Sequence, residues 1–208
     1  MSQSLKLFNL QGSPNNTKVR LALAYKKVPY EKINIDPMDR AAVVKASGQP
    51  LTPVLLHGDT IIFDSWAITR YLDANFKSGP RLYSADRETI KKIEEWETFA
   101  RTEAGAPVGR VFSQYFAKEK DEAKLREANR LHNQAAVRVE AALANGSHLV
   151  GEAPTAADFA VAPMLAFGVL SETAAKAHPI LAFFHASLKL EGAPRTRAWI
   201  ERIMALDR

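Results

Sequence analysis

The chain has 208 residues, of which 47% are hydrophobic and 25% charged, so it is neither disordered nor collagen-like nor low in complexity. Its 28 Lys and Arg outnumber 23 Asp and Glu by five, with ten of the basic and six of the acidic residues falling in positions 1–80; no basic stripe interleaved with aromatics accompanies them. That pattern points to a small anionic ligand and not to nucleic acid, and the absence of Cys excludes disulfides, thiolate metal sites and a protein-borne thiol nucleophile.

The opening Met1-Ser2-Gln3-Ser4-Leu5-Lys6 lacks the apolar core of a signal peptide, and apolar runs such as residues 161–167 fall far short of the roughly 20 residues that span a bilayer. A cytoplasmic location, no membrane association and no metal are therefore expected. Leu5-Lys6-Leu7-Phe8 reads as a strand closed by Asn9 and Gly12. The cap-rich Ser13-Pro14-Asn15-Asn16-Thr17 then opens a helix carrying Val19, Ala22, Leu23 and Lys26 at helical spacing, broken by Pro29. Residues 30–35 alternate like a second strand, and residues 39–45 form a short helix ending near Gly48. The runs over 53–57 and 60–63, joined by Gly58-Asp59, carry the signature of a tight hairpin. Asp64-Ser65 opens a third helix with Ile68, Tyr71 and Leu72 on one face.

After Phe76 the texture changes. Lys77-Ser78-Gly79-Pro80 is breaker-rich and aperiodic, so residues 77–86 read as a linker between a domain over 1–76 and another over 87–208. Ile90, Ile93, Trp96, Ala100, Ala104, Val108, Val111, Phe112 and Tyr115 recur three and four apart, with a kink expected at Pro107. Leu125, Ala128, His132, Ala135, Val139 and Ala142 repeat the pattern until Asn145-Gly146. A further helix begins at Thr155, and two more lie near Leu181 and Trp199. The expected architecture is an α/β domain of order β-α-β-α-β-β-α followed by an all-helical domain.

Three features of the α/β domain bear on chemistry. The turn from the first strand into the first helix puts Ser13 and Asn15 where backbone N–H groups and the helix dipole favour an anion; the plainer reading is a helix cap with Pro14 at its first position. Thr52-Pro53 puts a proline at the start of a strand, where it removes no central ladder bond; in the cis form it would leave the backbone of Thr52 open to an extended ligand. Asp64-Ser65 caps a helix and also offers a hydroxyl, an N–H and a carboxylate to a zwitterionic head group.

The order of these motifs resembles a cytosolic glutathione transferase, and the resemblance covers nearly the whole chain. Residues 13–20, Ser-Pro-Asn-Asn-Thr-Lys-Val-Arg, look like that family's first-helix motif. Residues 52–68 resemble its proline, hairpin and acidic-residue-plus-serine segment, and Gly151-Glu152-Ala153-Pro154-Thr155-Ala156-Ala157-Asp158 resembles the capping box of its helical domain. The resemblance implies a thioredoxin-like N-terminal domain and a glutathione transferase of bacterial type. It implies a sulfur contact from Ser13 or Asn15 and glutathione binding by Gln49, Thr52, Pro53, Asp64 and Ser65. Asp64 departs from the commoner Glu, and the loop Gly48-Gln49-Pro50-Leu51-Thr52 is longer and richer in proline than usual.

The implied mechanism activates the glutathione thiol as a thiolate, which attacks a small hydrophobic electrophile or a peroxide in a detoxification role. The second substrate would meet Phe99, Thr102, Glu103 and Arg110 in a cleft between the domains. Glutathione is then a co-substrate, no resident cofactor is needed, and the resemblance implies a homodimer. A glutathione-dependent isomerase, dehalogenase or disulfide reductase, or a non-enzymatic relative that binds a partner or ligand, is the alternative on the same fold. The lack of Cys argues against members that use their own thiol for deglutathionylation.

Overall fold

The computed structural model describes residues 4–207. Met1, Ser2 and Gln3, part of the terminus read as lacking a signal core, lie outside the described residues, as does Arg208. The chain divides into two compact units, one over residues 4–84 together with Leu206 and Asp207, the other over residues 85–205.

The first unit runs β1 (Leu5–Asn9), α1 (Pro14–Tyr25), β2 (Tyr30–Asn34), α2 (Ala41–Ser47), β3 (Val54–His57), β4 (Thr60–Phe63) and α3 (Ser65–Asn75). The strands form one sheet in the order β2-β1-β3-β4, with β1 parallel to β2 and antiparallel to β3, and the β3–β4 hairpin antiparallel. The element order β-α-β-α-β-β-α is as expected, and the arrangement is the thioredoxin-like one that the family resemblance implied. Alternation along the strands sorts the core onto two faces. Phe8 and Val54, opposite each other in the register, pack with Val43 of α2, and Ile33, Ile35, Ala46 and Leu56 close around them. Leu7 and Leu55 pair on the other face and are fully buried.

Much of the segment read as a linker packs into this unit. Asp73 of α3 accepts from the amides of Leu82 and Tyr83, and its carboxylate lies 2.9 Å from the buried Lys26 Nζ, which also donates to the Pro80 carbonyl. A Cβ on Gly79 would sit 2.3 Å from the Lys26 carbonyl oxygen, so only glycine allows this approach.

The second unit contains α4 (Arg87–Phe99), α5 (Gly105–Phe116), α6 (Glu122–Ala142), α7 (Ala156–Leu165), α8 (Glu172–Lys176), α9 (Pro179–Ser187) and α10 (Pro194–Met204). Asp86 and Asp121 cap α4 and α6 through their carboxylates. Every residue of α7 is buried, which explains its run of apolar side chains without a polar face. Its capping box forms as the sequence indicated: the Asp158 carboxylate accepts from the Thr155 amide at 2.9 Å and also from Trp199 Nε1 at 2.9 Å.

Three features differ from expectation. The long helix departs from α geometry over Ala100–Ala104, which is a π turn, and not at Pro107 itself. Proline lacks an N–H and its ring crowds the carbonyl four residues earlier, here Glu103, so the wider turn upstream absorbs the conflict. The short helix α8, capped by Ser171, went unforeseen because five residues carry too little periodicity. Lastly, Asp207 joins the first unit, held there by Arg20.

Candidate functional site

Strand register brings the three motifs to one end of the sheet. Phe8 lies opposite Val54, and Val54 opposite Phe63. The chain therefore leaves β1 towards Ser13, enters β3 from Thr52-Pro53 and leaves β4 towards Asp64-Ser65 at the same edge. β2 is parallel to β1, with Asn9 opposite Asn34, so the loop from Asp36 to Arg40 also begins there.

Ser13 is the N-cap of α1 in extended conformation (φ −81°, ψ 123°), with Pro14 at the first helical position. Its carbonyl accepts from the Thr17 amide at 2.9 Å and from Thr17 Oγ1 at 3.1 Å. Its hydroxyl makes no capping bond, so the plainer reading of this side chain as a cap fails. The hydroxyl is partly exposed at the positive end of a 12-residue helix. Asn15 is exposed, and its side chain has no hydrogen bond among the described residues. Asn16 behaves oppositely: fully buried, it accepts from the Leu10 amide through Oδ1 and donates from Nδ2 to Thr52 Oγ1, both at 3.1 Å. Sequence reasoning missed this role, because an Asn beside an Asn in a cap-rich turn carries no signal of burial.

The Thr52–Pro53 bond is cis. Among the described residues, neither the amide nor the carbonyl of Thr52 has a hydrogen-bond partner. Asp64 caps α3, its Oδ1 accepting from the amides of Trp66 at 2.8 Å and Ala67 at 3.2 Å. It does so at φ 72°, a region costly for a residue with a Cβ. Ser65 follows, 5% exposed, with no hydrogen-bond partner for its hydroxyl among the described residues. Lys18 and Trp66 join the two helices, the ammonium lying 3.0 Å from the ring centroid.

Gln49 does not point its amide at this group. Nε2 donates to Ser47 Oγ at 2.9 Å and to the Leu51 carbonyl at 3.0 Å, while Oε1 accepts from the Leu51 amide, so the side chain closes its own loop. Arg40, which the sequence reading passed over, lies at the N-cap of α2. Its Nε donates to the Pro37 carbonyl, but Nη1 is buried without a hydrogen-bond partner among the described residues. A guanidinium nitrogen in that condition suits an anion.

The four residues assigned to a second substrate do not act alike. Phe99 is 1% exposed, edge-on to Trp96 with the Arg138 guanidinium over its ring, and is therefore core. Glu103 is paired with Arg138 at 3.0 Å, and Thr102 Oγ1 donates to the Thr98 carbonyl. Arg110 is exposed on α5. Among the described residues, no group of three His, Asp or Glu side chains could hold a metal ion, and no helix is long and apolar enough to cross a membrane.

Residues 7–81 match the family pattern described as Glutathione S-transferase, N-terminal domain, and residues 98–207 match Glutathione S-transferase, C-terminal domain. Glutathione S-transferase F10 of Arabidopsis thaliana is 28% identical over 191 residues, spanning 87% of this chain and 88% of that protein. Glutathione S-transferase U1 of Arabidopsis thaliana is 35% identical over 83 residues, 38% of this chain and 37% of that one. A rice glutathione transferase solved in complex with glutathione superposes with a TM-score of 0.78 at 21% identity, covering 99% of this chain and 89% of its own.

Proposed function

The chain belongs to the glutathione S-transferase family, and from that premise we propose that it binds glutathione at this end of the sheet and activates the thiol as a thiolate for attack on small electrophiles. The observation that carries the reading is the Ser13 hydroxyl, uncommitted at the N-terminus of α1 on the sheet edge shared by Thr52-Pro53 and Asp64-Ser65.

In this reading the γ-glutamyl carboxylate accepts from the Ser65 hydroxyl, and the second oxygen of Asp64, which the helix cap leaves available, accepts from the α-ammonium. The Thr52 amide and carbonyl pair with the backbone of the cysteinyl residue, and Arg40 holds the glycyl carboxylate. A free thiol has a pKa of about 8.5, so only a few per cent is ionised at pH 7. The Ser13 hydroxyl does not serve as the base, because its own pKa lies far above that of the thiol and its alkoxide is not populated at pH 7. It donates a hydrogen bond to the sulfur anion, and the helix end adds positive potential; together they lower the thiol pKa by about one to two units. The thiol proton passes to solvent, the sulfur forms a bond to the electrophilic carbon, and the leaving group departs with the bonding pair. A peroxide would instead be attacked at oxygen: the S–O bond forms as the O–O bond breaks, the departing alkoxide takes a proton from solvent, and a second glutathione thiol converts the sulfenic acid to glutathione disulfide and water. Asn15, exposed on the same turn, is the competing donor. The reading extends to a cytoplasmic homodimer with a detoxification role.

Ultraviolet titration of the bound thiolate tests it in the wild type, Ser13→Ala and Asn15→Ala. The expected result is a thiol pKa well below that of free glutathione, restored towards it in Ser13→Ala, with conjugation about ten- to a hundredfold slower. A shift in Asn15→Ala alone moves the role to Asn15. Absence of glutathione binding by the wild type in calorimetry overturns the reading.

A further inference from the structure

Arg20 connects Asp207 to the sulfur-facing turn. Only 7% exposed, it makes a two-pronged ion pair with Asp207, Nε donating to Oδ1 at 2.8 Å and Nη2 to Oδ2 at 2.5 Å. Nη1 donates to Asn9 Oδ1 at 2.6 Å, which turns the Asn9 amide so that its Nδ2 donates to Asn34 Oδ1 at 2.9 Å. Nη2 also donates to Thr17 Oγ1 at 3.0 Å. A guanidinium has donors only. The Thr17 hydroxyl must therefore accept from Arg20 and send its own proton elsewhere, and it donates to the Ser13 carbonyl at 3.1 Å. That carbonyl also takes the first helical amide bond, from Thr17, so two bonds fix the Ser13–Pro14 peptide plane. The Ser13 hydroxyl makes no capping bond, so this backbone fixes the Cβ from which the hydroxyl reaches and not the hydroxyl through a bond of its own.

We infer that Asp207 is a positioning residue for the sulfur site, acting through Arg20 and Thr17 to aim the N-terminal turn of α1. The inference rests on the proposal that this turn meets the glutathione sulfur. Asp207 lies 187 residues from Arg20 in sequence and makes none of the contacts above with Ser13, Thr52-Pro53 or Asp64-Ser65. The carboxylate holds the guanidinium in one orientation, the guanidinium dictates the sense of the Thr17 hydroxyl, and the hydroxyl pins the peptide that carries Ser13.

The test compares Asp207→Asn, Asp207→Glu, Thr17→Val and Thr17→Ser with the wild type. The readouts are the pKa of the bound glutathione thiol and the affinity for S-methylglutathione, a thioether with the same peptide but no thiol. Asp207→Asn and Thr17→Val should each raise the thiol pKa by about half a unit, equivalent to an about threefold lower ratio of thiolate to thiol at a given pH. S-methylglutathione should bind within about twofold of the wild type in both. Asp207→Glu and Thr17→Ser, which keep the charge or the hydroxyl, should return the pKa towards the wild-type value. The double variant Asp207→Asn with Thr17→Val should shift no further than either single one, since both cut one chain. Thr17→Val leaves the ion pair intact, so it reads the connection even if Asp207→Asn unfolds. An unchanged thiol pKa in Thr17→Val, or additive shifts in the double variant, overturns the inference. Failure of the wild type to bind S-methylglutathione or glutathione overturns the parent reading instead.

Discussion

Asn16 and Thr52 are joined side chain to side chain, the buried carboxamide of one donating to the hydroxyl of the other at 3.1 Å. The bond ties the first turn of α1 to the residue preceding Pro53, 36 positions later. The same carboxamide holds the Leu10 amide through its oxygen, so one residue sets the separation between two of the three motifs. Neither motif carries Asn16 into the chemistry; its place is behind them.

Replacing Asn16 with Leu should therefore destabilise the first unit. The change removes the partner of the Leu10 amide and of the Thr52 hydroxyl, both half-buried, and each lost hydrogen bond costs about 1 kcal/mol. Urea unfolding at pH 7 should show the midpoint falling with little change in slope. An unaltered midpoint would mean that water replaces the carboxamide at no cost.

Replacing Ser65 with Ala should weaken glutathione binding by about 1–3 kcal/mol, the worth of a hydrogen bond to a charged group. The fold should hold, because the α3 cap belongs to Asp64 and not to Ser65. Calorimetry measures the loss directly, and equal affinity in the variant would remove Ser65 from the site.

Stability should fall in mild acid because of His132. The imidazole is fully buried on α6, with no well-formed hydrogen bond to either nitrogen. Burial pushes its pKa down from 6.5 to about 4, opposed only weakly by the nearby Leu165 carbonyl. The unfolded chain takes up a proton on this residue below pH 6.5, whereas the folded chain does not until about pH 4. Stability is thus full above pH 6.5 and declines as pH falls towards 4 by about 3 kcal/mol. His132→Leu should flatten that part of the profile in urea titrations at successive pH values. A wild-type slope that persists in the variant would assign the acid sensitivity to other groups.

The proposed homodimer also makes a direct prediction. Leu51 is 74% exposed, and Phe63 and Ile61 on β4 are 50% and 47% exposed, an apolar presence that a lone chain would leave against water. Light scattering at micromolar concentration should report about twice the 23.0 kDa chain mass. Phe63→Glu should shift the population towards single chains. A species of 23.0 kDa in the wild type would refute the dimer.

The elements legible in the sequence are those encoded by neighbours. Asp64 caps α3 through amides two and three residues on, the Thr155–Asp158 box closes over three positions, and the Gly58-Asp59 turn joins two β-rich runs. Such contacts depend on spacing and residue type, so element order, the two-domain plan and the three motifs could be read from the chain. Tertiary structure alone decided which side chains those motifs leave available. Thr17 and Pro14 satisfy the helix start differently from a side-chain cap, and so the Ser13 hydroxyl remains open. Gln49 turns into its own loop, Phe99 is drawn under Arg138, and Arg40 keeps a buried donor unpaired among the described residues. Asp207 reaches Arg20 across 187 positions. Contacts such as Arg20 with Asp207 and Arg138 over Phe99 exist only once distant segments have closed on one another, and no local spacing records them, whereas the Gln49 and Thr17 bonds are local choices among several that the same residue types allow.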